Sequence, residues 1–448
     1  MKEKGIQGEN KMGVMPVPQL VISMSFPIMI SMLVQSLYNI VDSIFVAKIS
    51  EEALTATSIA YSAQMLQIAV AVGTGVGVNS LVSRRLGAKQ FDKANEAATT
   101  GLLLTLFSSI VFIIWGIWGT RAFVQMFTDD QQVLDFAISY LRICQIFSTG
   151  IFLGTLTQRL LQATGRTVLS MLAQMAGAIV NIILDPIMIF GLGGFPEMGI
   201  TGAAIATVLG QWTSAILGLI LNYVQNREIR FVWKGFRFPK DTIIAIYKVG
   251  APTIFMQAFG SIMVAVMNKI LILYSLTAVA FFGVYFKLQN FLFMPMNGLG
   301  QGSLPIAAYN LGARQYDRMK ETCKIAIMTG AGISLIGTAV FLVFPKQLLL
   351  LFSASKAMIA IGVPALRIIS ISFVFASVTM ITGYLISGLG NGMVNMIGTA
   401  LRQIVILLPA VLILGWMGGI EIIWYSFWIS EGCAFLFAIY HLKKKLSY

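Results

Sequence analysis

The chain has 448 residues, of which 57% are hydrophobic and only 11% charged, and it carries a formal net charge of +13. Its mean hydropathy is +0.83. That balance excludes a water-soluble domain, because apolar runs of about 20 residues, each long enough to cross a bilayer, recur from end to end. The positive charge does not by itself point to nucleic acid, since its distribution along the chain, described below, fits a membrane topology.

Taken in chain order, the apolar runs predict spans at 17–45, 53–78, 97–118, 133–154, 165–190 and 200–224, then at 241–273, 278–302, 322–345, 357–382, 391–414 and 420–441. Segments exposed to lipid must satisfy their own backbone groups, and no period-two barrel pattern is present, so the spans are helices. The expected fold is an all-α polytopic membrane protein with twelve transmembrane helices in two six-helix bundles. The lobes are residues 1–225 and 241–448, joined by a cytoplasmic linker at 226–240. That linker carries Arg227, Arg230, Lys234, Arg237 and Lys240. The N-terminus starts polar and its first apolar run is too long for a signal peptide.

The two halves are copies of one unit. Leu86-Gly87-Ala88-Lys89-Gln90-Phe91-Asp92-Lys93 returns as Leu311-Gly312-Ala313-Arg314-Gln315-Tyr316-Asp317-Arg318, an offset of 225 in numbering. The same offset carries Pro27 to Pro252, Gly73, Gly75 and Gly77 to Gly298, Gly300 and Gly302, and Leu141-Arg142-Ile143 to Leu366-Arg367-Ile368. Six spans per copy is an even number, so both copies enter the membrane from the same side and are parallel repeats. The Leu-Gly-Ala segments read as helix stops. The Gly-x-Gly-x-Gly runs end hydrophobic helices without a strand or a Walker pattern, which makes them packing or hinge sites and not nucleotide loops.

Charge sets the orientation. With the N-terminus in the cytoplasm, 21 of the 31 Lys and Arg lie on the cytoplasmic side, against Lys48, Arg121, Lys346 and Lys356 on the other. Both termini are then cytoplasmic, and Trp115 and Trp118 fall in an interfacial belt. Cys144, Cys323 and Cys433 have no disulfide or metal spacing and read as small buried hydrophobes. The single histidine, His441, sits beside Lys443–Lys445. No HExxH, GxSxG or Cys/His cluster is present, so an enzyme is not expected and no cofactor is implied.

Candidate chemistry sits at membrane depth. Asp42 follows Gln35 and Asn39 on one helix face, with Pro27 upstream as a bend. Asp185 follows Asn181 by one turn and precedes Pro186. An ionisable residue inside the bilayer costs at least ~2.5–3.5 kcal/mol, so a functional role is its default reading. Asp42 maps to Met267 in the second copy, and Asp185-Pro186 aligns with Leu408-Pro409. The prolines are shared but the carboxylates are not, which assigns ion handling to the first lobe. Clustered carboxylates and amides suit a proton or Na⁺. In the second half, Lys269 and Lys287 lie within spans, as does Glu431. With Gln257, the lysines are candidates for a substrate cavity. Glu431 shows no comparable polar face and is the weaker candidate for coupling. Arg142 and Arg367 are repeat-related, which favours a structural role.

At this point the chain resembles the multidrug and toxic compound extrusion (MATE) transporters. The resemblance rests on two six-helix lobes, the Pro27…Gln35…Asp42 pattern, the repeated Leu-Gly-Ala-Lys/Arg-Gln segments, Asn181-x-x-x-Asp185-Pro186 and Gly202-Ala-Ala-Ile-Ala-Thr207. It implies a cation site at Asp42, Asn181, Asp185 and Thr207, able to take Na⁺. It implies export of organic cations and amphipathic drugs by antiport with H⁺ or Na⁺ through alternating access, in a bacterial cytoplasmic membrane, by a functional monomer embedded in the lipid bilayer. Some members carry further acids in the seventh and tenth spans, where this chain has Gln257 and no acid within 357–382. The alternative within the wider superfamily is a lipid-linked precursor flippase, which twelve spans and few lysines disfavour. A passive channel is the third reading, and counterflow separates it from a carrier.

Overall fold

A computed structural model describes residues 10–233, 239–352 and 354–447. Lys234 and Arg237 of the expected linker lie outside the described residues. Among those described, the secondary structure is helical. Ten helices are long and apolar enough to cross a membrane, and twelve spans result if each of two bent pairs counts once. The main helices are α1 (Val17–Ala47), α2 (Glu51–Gly87), α3 (Phe91–Trp118), the bent pair α4 (Gln131–Ile146) and α5 (Thr149–Ala163), α6 (Thr167–Phe190) and α7 (Gly199–Gln225). The second half contains α8 (Lys240–Leu271), α9 (Leu276–Gly312), α10 (Tyr316–Val343), the bent pair α11 (Lys356–Ile371) and α12 (Phe373–Gly388), α13 (Gly392–Ala400), α14 (Leu407–Gly418) and α15 (Ser426–Leu446).

Local sequence signals punctuate both halves at the same offset. Ser50 caps α2 by accepting from the Ala53 amide, and its repeat mate Ser275 caps α9 by accepting from Thr277. Asp130 and Ser355 cap α4 and α11 in the same way. The repeated Leu-Gly-Ala segments are helix stops, as expected. Lys89 and Arg314 both take φ 58°, and the amides of Gln90 and Gln315 close each turn on Arg85 and Asn310 carbonyls at 2.9 Å. Arg142 donates to the Ile117 carbonyl, and Arg367 to the Leu342 carbonyl, so donor and acceptor both keep the repeat offset. The structural role expected of these arginines is what they perform.

Some expectations need correction. The second and eighth spans do not end at 78 and 302 but run on as helix to Gly87 and Gly312. Their final turns are packed in protein: Ser83 donates to Asn79 Oδ1 and lies 3.2 Å from the Ala163 carbonyl. The fourth and tenth spans are each broken, by 48° and 47°. Trp115 is not a simple belt residue, because it packs edge-on against Phe112 and Phe123, whereas Trp118 is exposed. Cys144 and Cys323 are buried as expected, but Cys433 is exposed.

By packing, the chain forms two compact units, Ile30–Ile254 and the residues up to Met29 together with those from Phe255 onward. The boundaries, 29/30 and 254/255, are themselves 225 apart and fall shortly after Pro27 and Pro252. Each unit therefore contains the first half of a helix whose second half belongs to the other. Within the first unit, Gly77 admits that half-helix so closely that an added Cβ would stand 2.2 Å from the Ile246 carbonyl oxygen. Within the second, Gly302 does the same for Ser25, with the added Cβ 2.6 Å from its Cα. The Gly-x-Gly-x-Gly runs are thus packing seams: at their outer glycines a side chain would push the incoming backbone away, while Gly75 and Gly300 face the side chains of Arg159 and Tyr384.

Candidate functional site

The first unit brings together the residues chosen from sequence. Asn181, Asp185 and Thr207 are all buried, Asp185 at 0% exposure, and Asp42 is half-buried. The Asn181 amide donates to Asp185 Oδ1 at 3.3 Å and lies 3.5 Å from Thr207 Oγ1. Glycines let the helices carrying these residues approach: Gly177 and Gly210 pack backbone to backbone, and an added Cβ on Gly210 would lie 3.0 Å from Asn181 Cβ. The helical spacing does the rest. Asn181 and Asp185 are one turn apart on α6, so both side chains point the same way.

Asp42, on α1, reaches this cluster from outside it. Its carboxyl comes within hydrogen-bonding reach of Asp185. Two carboxylates have no donor between them, so a shared proton or a cation would relieve their contact. Three oxygens in the group, Asp42 Oδ1, Asp185 Oδ2 and Asn181 Oδ1, are buried and receive no hydrogen bond. All three are acceptors. A set of orphaned acceptors with two formal negative charges fits H⁺ or Na⁺ and does not fit an anion.

A second level of contact lies two turns earlier. Gln174 of α6 donates to Gln35 of α1 at 2.7 Å. Gln35 therefore ties the two helices together, although it is exposed and does not reach the carboxylates. Asn39 is exposed and supplies no hydrogen bond to the pair among the described residues. Pro27 is buried in α1 on the far side of the packing boundary from Asp42. Gln257, Lys269 and Lys287 are exposed, and neither lysine forms an ion pair among the described residues. Lys269 stands in the last turn of α8, where a cation complements the helix dipole.

Two tyrosines beside the site were not among the residues expected from sequence. Tyr38, one turn before Asp42 on α1, lies within electrostatic range of both Asp42 and Asp185. Tyr140 of α4, 4% exposed, reaches Thr207. The i, i+4 rule that linked Asn181 to Asp185 would have found Tyr38. Nothing local marks Tyr140, which arrives through the fold. In the second unit, Glu431 is not isolated as expected. It is 5% exposed and paired with Arg402.

The MatE family pattern matches residues 27–187 and 252–412, two stretches offset by 225 at each end. Multidrug export protein MepA of Staphylococcus haemolyticus (strain JCSC1435) is 26% identical over 430 residues, covering 94% of this chain and 93% of its own. MepA of Staphylococcus aureus (strain MRSA252) is 25% identical over 440 residues, covering 96% and 95%. A solved structure described as the outward-facing conformation of a multidrug resistance MATE family transporter of the MOP superfamily superposes with a TM-score of 0.91 at 25% identity, over 99% of both chains. Matched in both repeats over most of its length, the chain belongs to the MatE family, the multidrug and toxic compound extrusion transporters.

Proposed function

We propose that this protein is a secondary active transporter that exports organic cations and amphipathic drugs in exchange for inward H⁺ or Na⁺. The observation that carries the reading is the Asp42–Asp185 contact, with its unpartnered oxygens, inside an apolar bundle. Such a pair binds one positive charge and releases it when the surroundings change. Asn181 and Thr207 would complete the ion's shell. The names of the similar proteins support drugs as the exported class.

Binding of the ion matters only if it differs between two states of the protein. α1 offers a route, because Asp42 and Pro27 lie on one helix that passes from one packing unit to the other just after the proline. Pro27 removes one backbone hydrogen bond at that place. Ion uptake at Asp42 would thus bias a bend at Pro27 and drive alternating access. Gln257 and Lys287 remain candidates for the drug path. The charge bias favours cytoplasmic termini in a bacterial inner membrane, and the transporter is taken to work as a monomer in the bilayer.

The test is ethidium transport in proteoliposomes with Na⁺ and H⁺ gradients imposed separately. Uphill transport driven by at least one gradient, together with counterflow, is expected. Transport indifferent to both gradients overturns the antiport reading, and absence of counterflow would indicate a channel.

A further inference from the structure

The second unit holds a charged pair that the reading above does not use. Arg402 Nε lies 3.2 Å from Glu431 Oε1, with the two side chains 14% and 6% exposed. The contact is single-pronged. Glu431 Oε2 is buried and has no hydrogen-bond partner. Tyr285 of α9 is 1% exposed and lies close enough to feel the charge of both residues. Its ring packs edge-on against Phe427, one turn before Glu431 on α15, at 5.6 Å between centroids. A buried carboxylate with one oxygen engaged and the other empty has a ready position for a proton.

Arg402 stands on unusual backbone. Residues Leu401–Val405 form a π turn between α13 and α14, and the Ile406 amide donates to the Leu401 carbonyl at 3.1 Å. A proline follows the turn, although the aligned Pro186 lies inside an unbroken α6, so proline alone does not set it. Pro409 has no N–H to give the Val405 carbonyl, and its ring crowds that oxygen. The extra residue of the π turn is absorbed just before that point. Such single turns are found at functional sites in helices. Rewinding it to an α turn would rotate one side of the helix against the other by about 100°.

We propose that Glu431 is a second proton-binding site of this protein and that its protonation releases Arg402 and the π turn. A proton from solvent forms an O–H bond at Oε2, and Glu431 becomes neutral. Arg402 keeps its proton and its charge, so it loses its counter-charge inside the bundle and must turn toward water or another anion. Among the described residues no other charged group compensates. α12, α13 and α14, which pack against α15 or its neighbours, carry no Asp, Glu, Lys, Arg or His. On α11, Lys356 is exposed and Arg367 is held at the Leu342 carbonyl. Glu421, in the short turn before α15, and Lys287 on α9 are both exposed. On α15 itself, His441 and Lys443–Lys445 lie more than two turns beyond Glu431. The site is separate from Asp42 and Asp185 and holds whether or not those residues couple export.

The test is pH-difference infrared spectroscopy of the full-length protein in proteoliposomes, in the C=O region of protonated carboxyls. The background is Asp42→Asn/Asp185→Asn, so that the first site is silent. A band that grows on acidification is expected, and Glu431→Gln should remove it. Should Glu431→Gln not fold, Glu431→Asp keeps a carboxyl and should shift the band. Arg402→Gln should move its midpoint upward by about one to three pH units, because an adjacent positive charge no longer holds the carboxyl ionised. Amide exchange over Leu401–Ile406 should rise on acidification in the parent and stay flat in Glu431→Gln. No pH-dependent band, or a band that neither Glu431 variant alters, overturns the site. A titrating band with unchanged exchange over the π turn overturns the release of Arg402.

Discussion

The strongest consequence of the Asp42–Asp185 contact is non-additivity. Two carboxylates about 4 Å apart repel by about 4 kcal/mol at an effective dielectric of ~20. That repulsion is what favours uptake of one positive charge by the pair over uptake by a lone carboxylate. It corresponds to roughly a thousandfold in ion affinity, and solvent around the half-buried Asp42 reduces it toward about a hundredfold. Because the term is mutual, either Asp42→Asn or Asp185→Asn removes all of it. The losses of the two single variants should therefore not add in the double variant. In transport, exchange of one monovalent ion for monocationic ethidium moves no net charge, so the ion gradient alone drives it, and an ion gradient of about fiftyfold, worth ~2.3 kcal/mol, sustains a drug gradient of about fiftyfold at one ion per cycle. Each variant should fall to about onefold accumulation while still exchanging labelled for unlabelled ethidium. The assay is steady-state accumulation in proteoliposomes under a fixed ion gradient, with the potential clamped at zero and equal protein incorporation. Losses in ion affinity that simply add in the double variant, or either single variant holding a wild-type gradient, refute the reasoning.

Other perturbations are graded by the same contacts. Thr207→Val removes one weak partner of Asn181, worth about 1 kcal/mol. It should raise the ion concentration for half-maximal transport about fivefold, read from initial rates across a Na⁺ or H⁺ series. Gly77→Ala sets a Cβ 2.2 Å from the Ile246 carbonyl oxygen. It should cost about 1–3 kcal/mol, seen as a lowered melting temperature in detergent, whereas Gly283→Ala, with nothing within 4 Å, should not lower it. Arg142→Gln and Arg367→Gln should lower the melting temperature by similar amounts and leave the ion dependence of export unchanged. A change in ion dependence for one of them alone would give that arginine a role beyond holding its carbonyl.

What the sequence made legible was whatever depends on short range or on the repeat. The helix stops at Lys89 and Arg314 and the seams at Gly77 and Gly302 follow from residue types that recur at one spacing. Asn181 and Asp185 could be paired because they share a helix face. Other features needed the fold. The 48° and 47° breaks at Phe147–Ser148 and Ser372 have no proline or glycine at those positions to announce them. Tyr140 reaches Thr207 from another helix. Glu431 looked isolated because its partner, Arg402, stands on a π turn outside α15, a geometry that helical periodicity cannot place.

The repeat also explains why the two units should answer to ions differently. Helix bounds from Glu51–Gly87 to Gln131–Ile146 recur at the offset of 225 without a single shift, and the ends at Ala163 and Gly388 still keep it, so the framework is shared. Past that point the copies part. α6 runs unbroken through Pro186 and presents Asp185 directly before it. Its counterpart reaches Pro409 through a π turn, has Leu408 before the proline, and presents Arg402 instead. In the first unit, under the proposed antiport, an incoming cation would supply the charge that two carboxylates lack. In the second, a resident arginine already supplies it, and only a proton, by neutralising Glu431, can change the balance. A metal cation has no room in that scheme, because Arg402 occupies its place. If transport is driven by Na⁺ alone, the second unit should therefore remain electrostatically unchanged through the cycle. Dependence on Glu431 should appear only where protons are the driving ion, and the separate gradients imposed on Glu431→Gln would display that difference directly.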